Sequence, residues 1–175
     1  MKEKFQQAYM DTAWRFAQLS HARRLQVGAI VVRDDRIISI GYNGMPAGWD
    51  NDCEDKVWDP GAGGWLDPEE FDALYPYEAW HEDAGRNVRY GLKTKAEVLH
   101  AESNAVSKLA KSNDSGEGAD IFITHAPCLD CAKLIHQSGI RRVWYSEEYR
   151  STAGLDFLSK SGILVQKINN QESQS

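Results

Sequence analysis

Six consecutive apolar residues, Val27-Gly28-Ala29-Ile30-Val31-Val32, constrain this chain more than any other feature. A strand with one wet face alternates polar and apolar side chains. A run that is apolar throughout needs cover on both faces, which calls for a sheet sandwiched between helices. Asp34-Asp35 follows as turn chemistry and Arg36-Ile37-Ile38-Ser39-Ile40-Gly41-Tyr42 as a second β-rich run, so the two read as a hairpin. Upstream, Phe5, Tyr9, Ala13, Phe16 and Leu19 recur at spacings of three and four, the pattern of an amphipathic helix. Late in the chain the alternation is regular. A helix over about 100–111 turns Ala101, Ala105, Val106 and Leu109 inward; then come a strand at 119–124, a helix at 128–138 stopped by Gly139, a strand at 141–147, a helix at 152–160 and a strand at 163–168. Strand–helix–strand links require parallel neighbours. The expected fold is α/β: a three-layer α/β/α domain over residues 1–168, with a five-stranded mixed sheet whose last two strands are parallel. A polar tail at 169–175 is expected to be disordered.

Residues 49–96 break this pattern with Gly, Pro, Asp and Trp, and read as an irregular insertion. One short helix is expected near 67–71, with Asp67 capping and Pro68 in the first turn. The segment holds Trp49, Trp58, Trp65 and Trp80, four of the six tryptophans, and twelve of the 26 acidic residues. Aromatics in that number need burial, so a lid or a subunit contact is expected here.

The acidic excess, 26 Asp plus Glu against 20 Lys plus Arg for a net charge of −6, supplies no field for a polyanion and argues against nucleic acid as a partner. A small anion remains open. No uncharged apolar run approaches the roughly 20 residues of a membrane span. The chain opens on Lys2-Glu3-Lys4 rather than a signal sequence, so a cytoplasmic protein with no membrane partner is expected. Three cysteines cannot build a disulfide framework. Two of them stand as Cys128-x-x-Cys131, which in a reducing compartment points to metal or redox chemistry.

His100-Ala101-Glu102 and Pro127-Cys128-Leu129-Asp130-Cys131 each open an expected helix. Two thiolates three apart at a helix start reach one ion, and with the imidazole of His100 they form a three-ligand set suited to Zn²⁺ that leaves a fourth position for water. Residues two apart on an ideal helix diverge by about 200°, so His100 and Glu102 converge only at an irregular first turn. A closed zinc ribbon with His125, His136, His21 or Cys53 as fourth ligand, or a redox pair, are the alternatives; neither accounts for Glu102 or Pro127. A carboxylate beside a metal ligand suits a proton carrier for attack by an activated water.

His-Ala-Glu followed by Pro-Cys-x-x-Cys resembles the zinc-dependent cytidine/deoxycytidylate deaminase superfamily. Within it, the hairpin and Gly41-Tyr42-Asn43-Gly44-Met45-Pro46-Ala47-Gly48 look like the deoxycytidylate deaminase family. The resemblance spans roughly residues 5–50 and 97–150 and implies one catalytic zinc on His100, Cys128 and Cys131, with Glu102 as proton shuttle. It implies hydrolysis of dCMP to dUMP and ammonia for thymidylate synthesis, in a homohexamer activated by dCTP and inhibited by dTTP, with Mg²⁺ accompanying a triphosphate effector. The helix before the last strand argues against a free-nucleoside substrate, and the acidic balance against a polynucleotide one. Asn43 offers a donor and an acceptor for a sugar hydroxyl, or is simply a left-handed turn residue. Ser20, Arg23, Arg24, Tyr149 and Arg150 are candidates for the phosphate, and Ala101 and Thr124 for the pyrimidine edge. Tyr42, Gly44, Met45, Asn51 and Asp52 are candidate effector contacts. Some relatives carry a second, structural zinc; Cys53 with His81 and His21 is the available set. Val98 stands where that pattern wants a carboxylate, so no second zinc is expected. His125, where relatives have an apolar or small residue, is a departure, read either as lining the pocket or as facing solvent.

Overall fold

The computed structural model describes residues 1–168; the tail at 169–175 lies outside them. Its elements run α1 (Glu3–Ala17), β1 (Gly28–Arg33), β2 (Arg36–Tyr42), β3 (Glu54–Trp58), a single 3₁₀ turn, α2 (Pro68–Leu74), β4 (Tyr77–His81), β5 (Arg86–Thr94), α3 (Ala101–Leu109), β6 (Asp120–His125), α4 (Leu129–Gln137), β7 (Arg142–Glu147), α5 (Ala153–Lys160) and β8 (Leu164–Lys167). Five strands form the main sheet in the order β2-β1-β6-β7-β8. β1 is antiparallel to both β2 and β6, whereas β6, β7 and β8 are mutually parallel, as the helical crossovers demand.

The apolar run of β1 divides its side chains between two cores. Ala29 and Val31 join the core under α3, α4 and α5, built with Ala105, Ile121, Ile123, Ile135 and Leu158. Ile30 and Val32 join the opposite one with Met10, Ala13, Phe122 and Trp144, under α1. Successive strand residues point to opposite faces, so a fully apolar strand feeds both layers. The hairpin closes at Asp34 and Asp35, both left-handed with φ of 50° and 57°, the geometry whose twist matches the flanking strands.

The 49–96 segment differs from its reading as irregular. β3, β5 and β4 form a second, antiparallel three-stranded sheet, and α2 is capped by Asp67, whose carboxylate accepts from the Glu69 N–H at 2.9 Å. Period-two alternation is blurred here because both faces of the small sheet are partly wet, so charged and aromatic residues mix along every strand. Nor does the chain bury all of its aromatics: Trp65 is 90% exposed and Trp80 62%, while Trp58 and Tyr77 stack around Tyr90. β5 leads back to the main body, and a bridge between Gly44 and Leu99 delivers the chain to α3.

One close approach positions α3. A Cβ on Gly41 would fall on the backbone carbonyl of Ala101 and 2.7 Å from the Ala105 nitrogen, so only glycine lets the start of α3 lie on β2.

Candidate active site

His100 is the residue before α3 (φ −76°, ψ 153°) and Cys128 the residue before α4 (φ −68°, ψ 168°); both are extended rather than helical. That half-turn of freedom lets His100 converge with Glu102, which an ideal helix forbids. The Nδ1 atom of His100 lies 3.5 Å from the Cys128 sulfur and 3.4 Å from the Cys131 sulfur. Among the described residues these three form the one His/Cys/Asp/Glu group whose donor atoms all lie within 4.8 Å of one another. Tetrahedral zinc, with Zn–S of about 2.3 Å and Zn–N of about 2.0–2.1 Å, would set each N···S separation near ~3.6 Å, so the donor set fits that ion in both chemistry and spacing.

The local electrostatics favour thiolate at Cys128. Hydrogen bonds from Cys131 and His100 pull the Cys128 thiol down to about 4, and the same contact with Cys128, with burial, pushes Cys131 up. The hydrogen bond to Cys128 also raises His100. Two helix N-termini face the cluster and add positive potential. Glu102, in the first turn of α3, is 4% exposed, and burial pushes its carboxyl up to about 7. A carboxyl in that range can hold and release a proton near neutral pH.

His100, Cys128 and Glu102 border a cavity of about 780 Å³, with Cys131 buried behind them. Of the other sequence candidates, Asn43, Arg24, Ala101, Tyr149 and Arg150 line it. Asn43 is not a left-handed turn residue. Its Oδ1 accepts from the Val27 N–H and its Nδ2 donates to the Leu25 carbonyl, both at 2.8 Å, leaving one donor and one acceptor position for a ligand. Ser20, Arg23 and Thr124 do not line the cavity. Ser20 is turned back on its own loop, accepting from the Ala22 N–H. Arg23 pairs with Asp52 at 3.3 Å and lies 3.6 Å from Glu54. Thr124 is fully buried, its hydroxyl bound by the Gly28 N–H.

Several contributors to the cavity wall escaped the sequence reading. Lys93, Thr94 and Lys95 come from the end of β5, so the insertion forms part of the wall. Glu54, 2% exposed, accepts the backbone N–H groups of Arg23 and Arg24 at 3.0 and 3.1 Å and so ties the loop after α1 to the small sheet. His125, singled out in the sequence as a departure, lines the cavity rather than facing solvent. An acidic residue directly after Cys53 was the only signal for Glu54, and nothing in sequence distinguishes it from the other acids of the segment.

Tyr42, Gly44, Met45 and Asn51 line a second cavity of about 430 Å³, together with His21, Asn104 and Lys108. Asn43 borders both cavities. Asp52 is not part of that wall; its carboxylate is held by Lys95, which keeps it below the usual carboxylate range. Cys53 is packed with Ala22, Val98 and Met45, and burial raises its thiol. His81 packs instead edge-on against Trp58 in the small sheet.

Residues 3–147 match the family described as the cytidine and deoxycytidylate deaminase zinc-binding region. The chain belongs to this family. Similar proteins include the deoxycytidylate deaminase of Enterobacteria phage T4, 34% identical over 89% of this chain and 86% of the relative. ComE operon protein 2 of Bacillus subtilis (strain 168) is 30% identical over 95% of this chain and 72% of its own length. Among solved structures, the dCMP deaminase of cyanophage S-TIM5 in complex with dCMP and dUMP superposes with a TM-score of 0.73 at 38% identity, covering 96% of this chain and 99% of that one. Membership of a zinc-binding deaminase family accounts for the donor set and for the acid beside it.

Proposed function

We propose that this chain is a zinc-dependent dCMP deaminase that converts dCMP to dUMP and ammonia, and so supplies dUMP for thymidylate synthesis in the cytoplasm. One observation carries the reading. The metal-ligand cluster through its members His100 and Cys128, a buried carboxyl and two arginines, Arg24 and Arg150, border the same cavity, in a chain 38% identical to a dCMP deaminase solved with dCMP and dUMP. A cytosine needs the first two, and a 5′-phosphate needs the cations.

His100, Cys128 and Cys131 are the ligands in this reading. Zinc, when bound, supplies the Lewis acidity that makes water a nucleophile at neutral pH. Glu102 takes a proton from the attacking water and delivers it to N3 of cytosine, then passes the second to the departing amine. The C4–O bond forms, the C4–N bond breaks, and both water protons are accounted for in N3–H and ammonia. Asn43 uses its remaining amide positions on the sugar, the backbone at Ala101 meets the pyrimidine edge, and Arg24, Tyr149 and Arg150 hold the phosphate.

The second cavity is the proposed effector site, activated by dCTP and inhibited by dTTP with Mg²⁺ on the triphosphate, in a homo-oligomer that is hexameric by family resemblance. Asn43, bordering both cavities, is the element through which an effector would reach the substrate. Ammonia release from dCMP, CMP, dCTP, deoxycytidine and single-stranded DNA, with and without added dCTP or dTTP, tests the whole reading. dCMP is expected to be preferred; preference for deoxycytidine overturns the phosphate assignment. Unaltered dCTP and dTTP responses in Gly44→Ala and Asn51→Ala would remove the effector assignment.

A further inference from the structure

His125 lines the reaction cavity, yet none of the roles above uses it. It ends β6, and its ring packs edge-on against Trp14 of α1 with centroids 5.4 Å apart. Two cation-bearing segments start from its neighbours. The loop after α1 brings Arg24 to the cavity, and the loop after β7, whose Glu147 is the register partner of His125, brings Tyr149 and Arg150. The imidazole thus shares a cavity wall with the groups assigned to the phosphate, on a strand whose register partner leads into the loop of Tyr149 and Arg150.

Its tautomer is set by the residue before it. The Thr124 hydroxyl accepts from the Gly28 N–H at 3.1 Å and lies 3.0 Å from His125 Nδ1. Thr124 is fully buried, and among the described residues Nδ1 is the only acceptor its hydroxyl reaches. A buried hydroxyl has one proton to place, so it donates to Nδ1, and a neutral ring then carries its own proton on Nε2. Nε2 has no partner among the described residues. Burial holds the imidazole below its ordinary pKa, which favours this neutral form.

We propose that His125 is a specificity-determining residue that donates its Nε2–H to a phosphate oxygen of the bound nucleotide, aimed by the Gly28–Thr124–His125 hydrogen-bond relay. The proposal rests on the mononucleotide reading above. A neutral donor suits this position: it adds a directed bond to a dianion already faced by two arginines without burying a further charge.

The test is the ratio of kcat/KM for dCMP to that for deoxycytidine, measured on zinc-loaded wild type and on His125→Ala, His125→Asn and His125→Gln. The amide nitrogen of Gln reaches the Nε2 position, whereas that of Asn falls at Nδ1. Loss of a bond to a charged acceptor should lower the ratio at least about tenfold in the Ala and Asn variants and leave it within about threefold of wild type in the Gln variant. A wild type that prefers dCMP, with the ratio unchanged in all three variants or reduced equally in Asn and Gln, overturns the proposal and spares the function. A wild type with no preference for dCMP over deoxycytidine overturns the mononucleotide reading and this proposal with it. If the Ala variant does not fold, the Asn–Gln comparison still decides.

Discussion

Glu54 offers the sharpest test of how the small sheet serves the active site. Its side chain is buried, and its Oε1 accepts two backbone N–H groups, from Arg23 and Arg24, while Oε2 has no hydrogen-bond partner and lies 3.6 Å from the Arg23 guanidinium. Hydrogen bonds to a charged acceptor contribute about 1.5–3 kcal/mol each, and stripping the acceptor leaves two N–H groups with no partner. Glu54→Ala should therefore destabilise the protein by about 3–5 kcal/mol, a large part of the 5–15 kcal/mol typical of a domain. Glu54→Gln keeps an oxygen for both donors and loses only the charge, so about 1–2 kcal/mol is expected. Equilibrium urea unfolding of the zinc-loaded protein at one fixed concentration measures both. The same variants should raise the KM for dCMP, Ala more than Gln, because the backbone that presents Arg24 to the cavity loses its anchor. If Glu54→Ala costs less than about 1 kcal/mol and leaves KM unchanged, the anchoring argument is refuted.

Three further outcomes are expected. Glu102→Gln should retain zinc and fold but lose deamination by about 10²–10⁴-fold, whereas Cys128→Ala or Cys131→Ala should lose the metal itself; metal content and ammonia release separate the cases. Gly41→Ala should cost about 1–3 kcal/mol in thermal or urea unfolding and lower activity, since the new Cβ meets the backbone of α3 where His100 and Glu102 begin. The folded-state pKa of His125 is lowered by burial, so on acidification below about pH 6.5 the unfolded chain protonates first and stability falls. Urea midpoints at pH 7.5 and 5.5 should converge in His125→Gln relative to wild type; an unchanged pH dependence would contradict this.

Sequence alone determined the architecture and the centre of the site, because both are written in local patterns. An apolar run that must be covered twice specifies a sheet between helices, and strand–helix alternation specifies parallel neighbours. His100, Glu102, Cys128 and Cys131 were legible because metal chemistry restricts both residue type and spacing, and each sits within a few residues of a helix start. The outer wall of the cavity was not legible. Arg23 and Arg24 are adjacent and chemically equivalent, yet one is tied to Asp52 and Glu54 while the other lines the cavity. Glu54 reaches across 30 positions to the Arg24 amide, and Thr124 lies off the cavity wall with its hydroxyl 3.0 Å from His125 Nδ1. Long-range pairing decided these points. Whether a polar side chain binds a ligand or braces the backbone depends on which donors the fold brings beside it, and no local pattern carries that information.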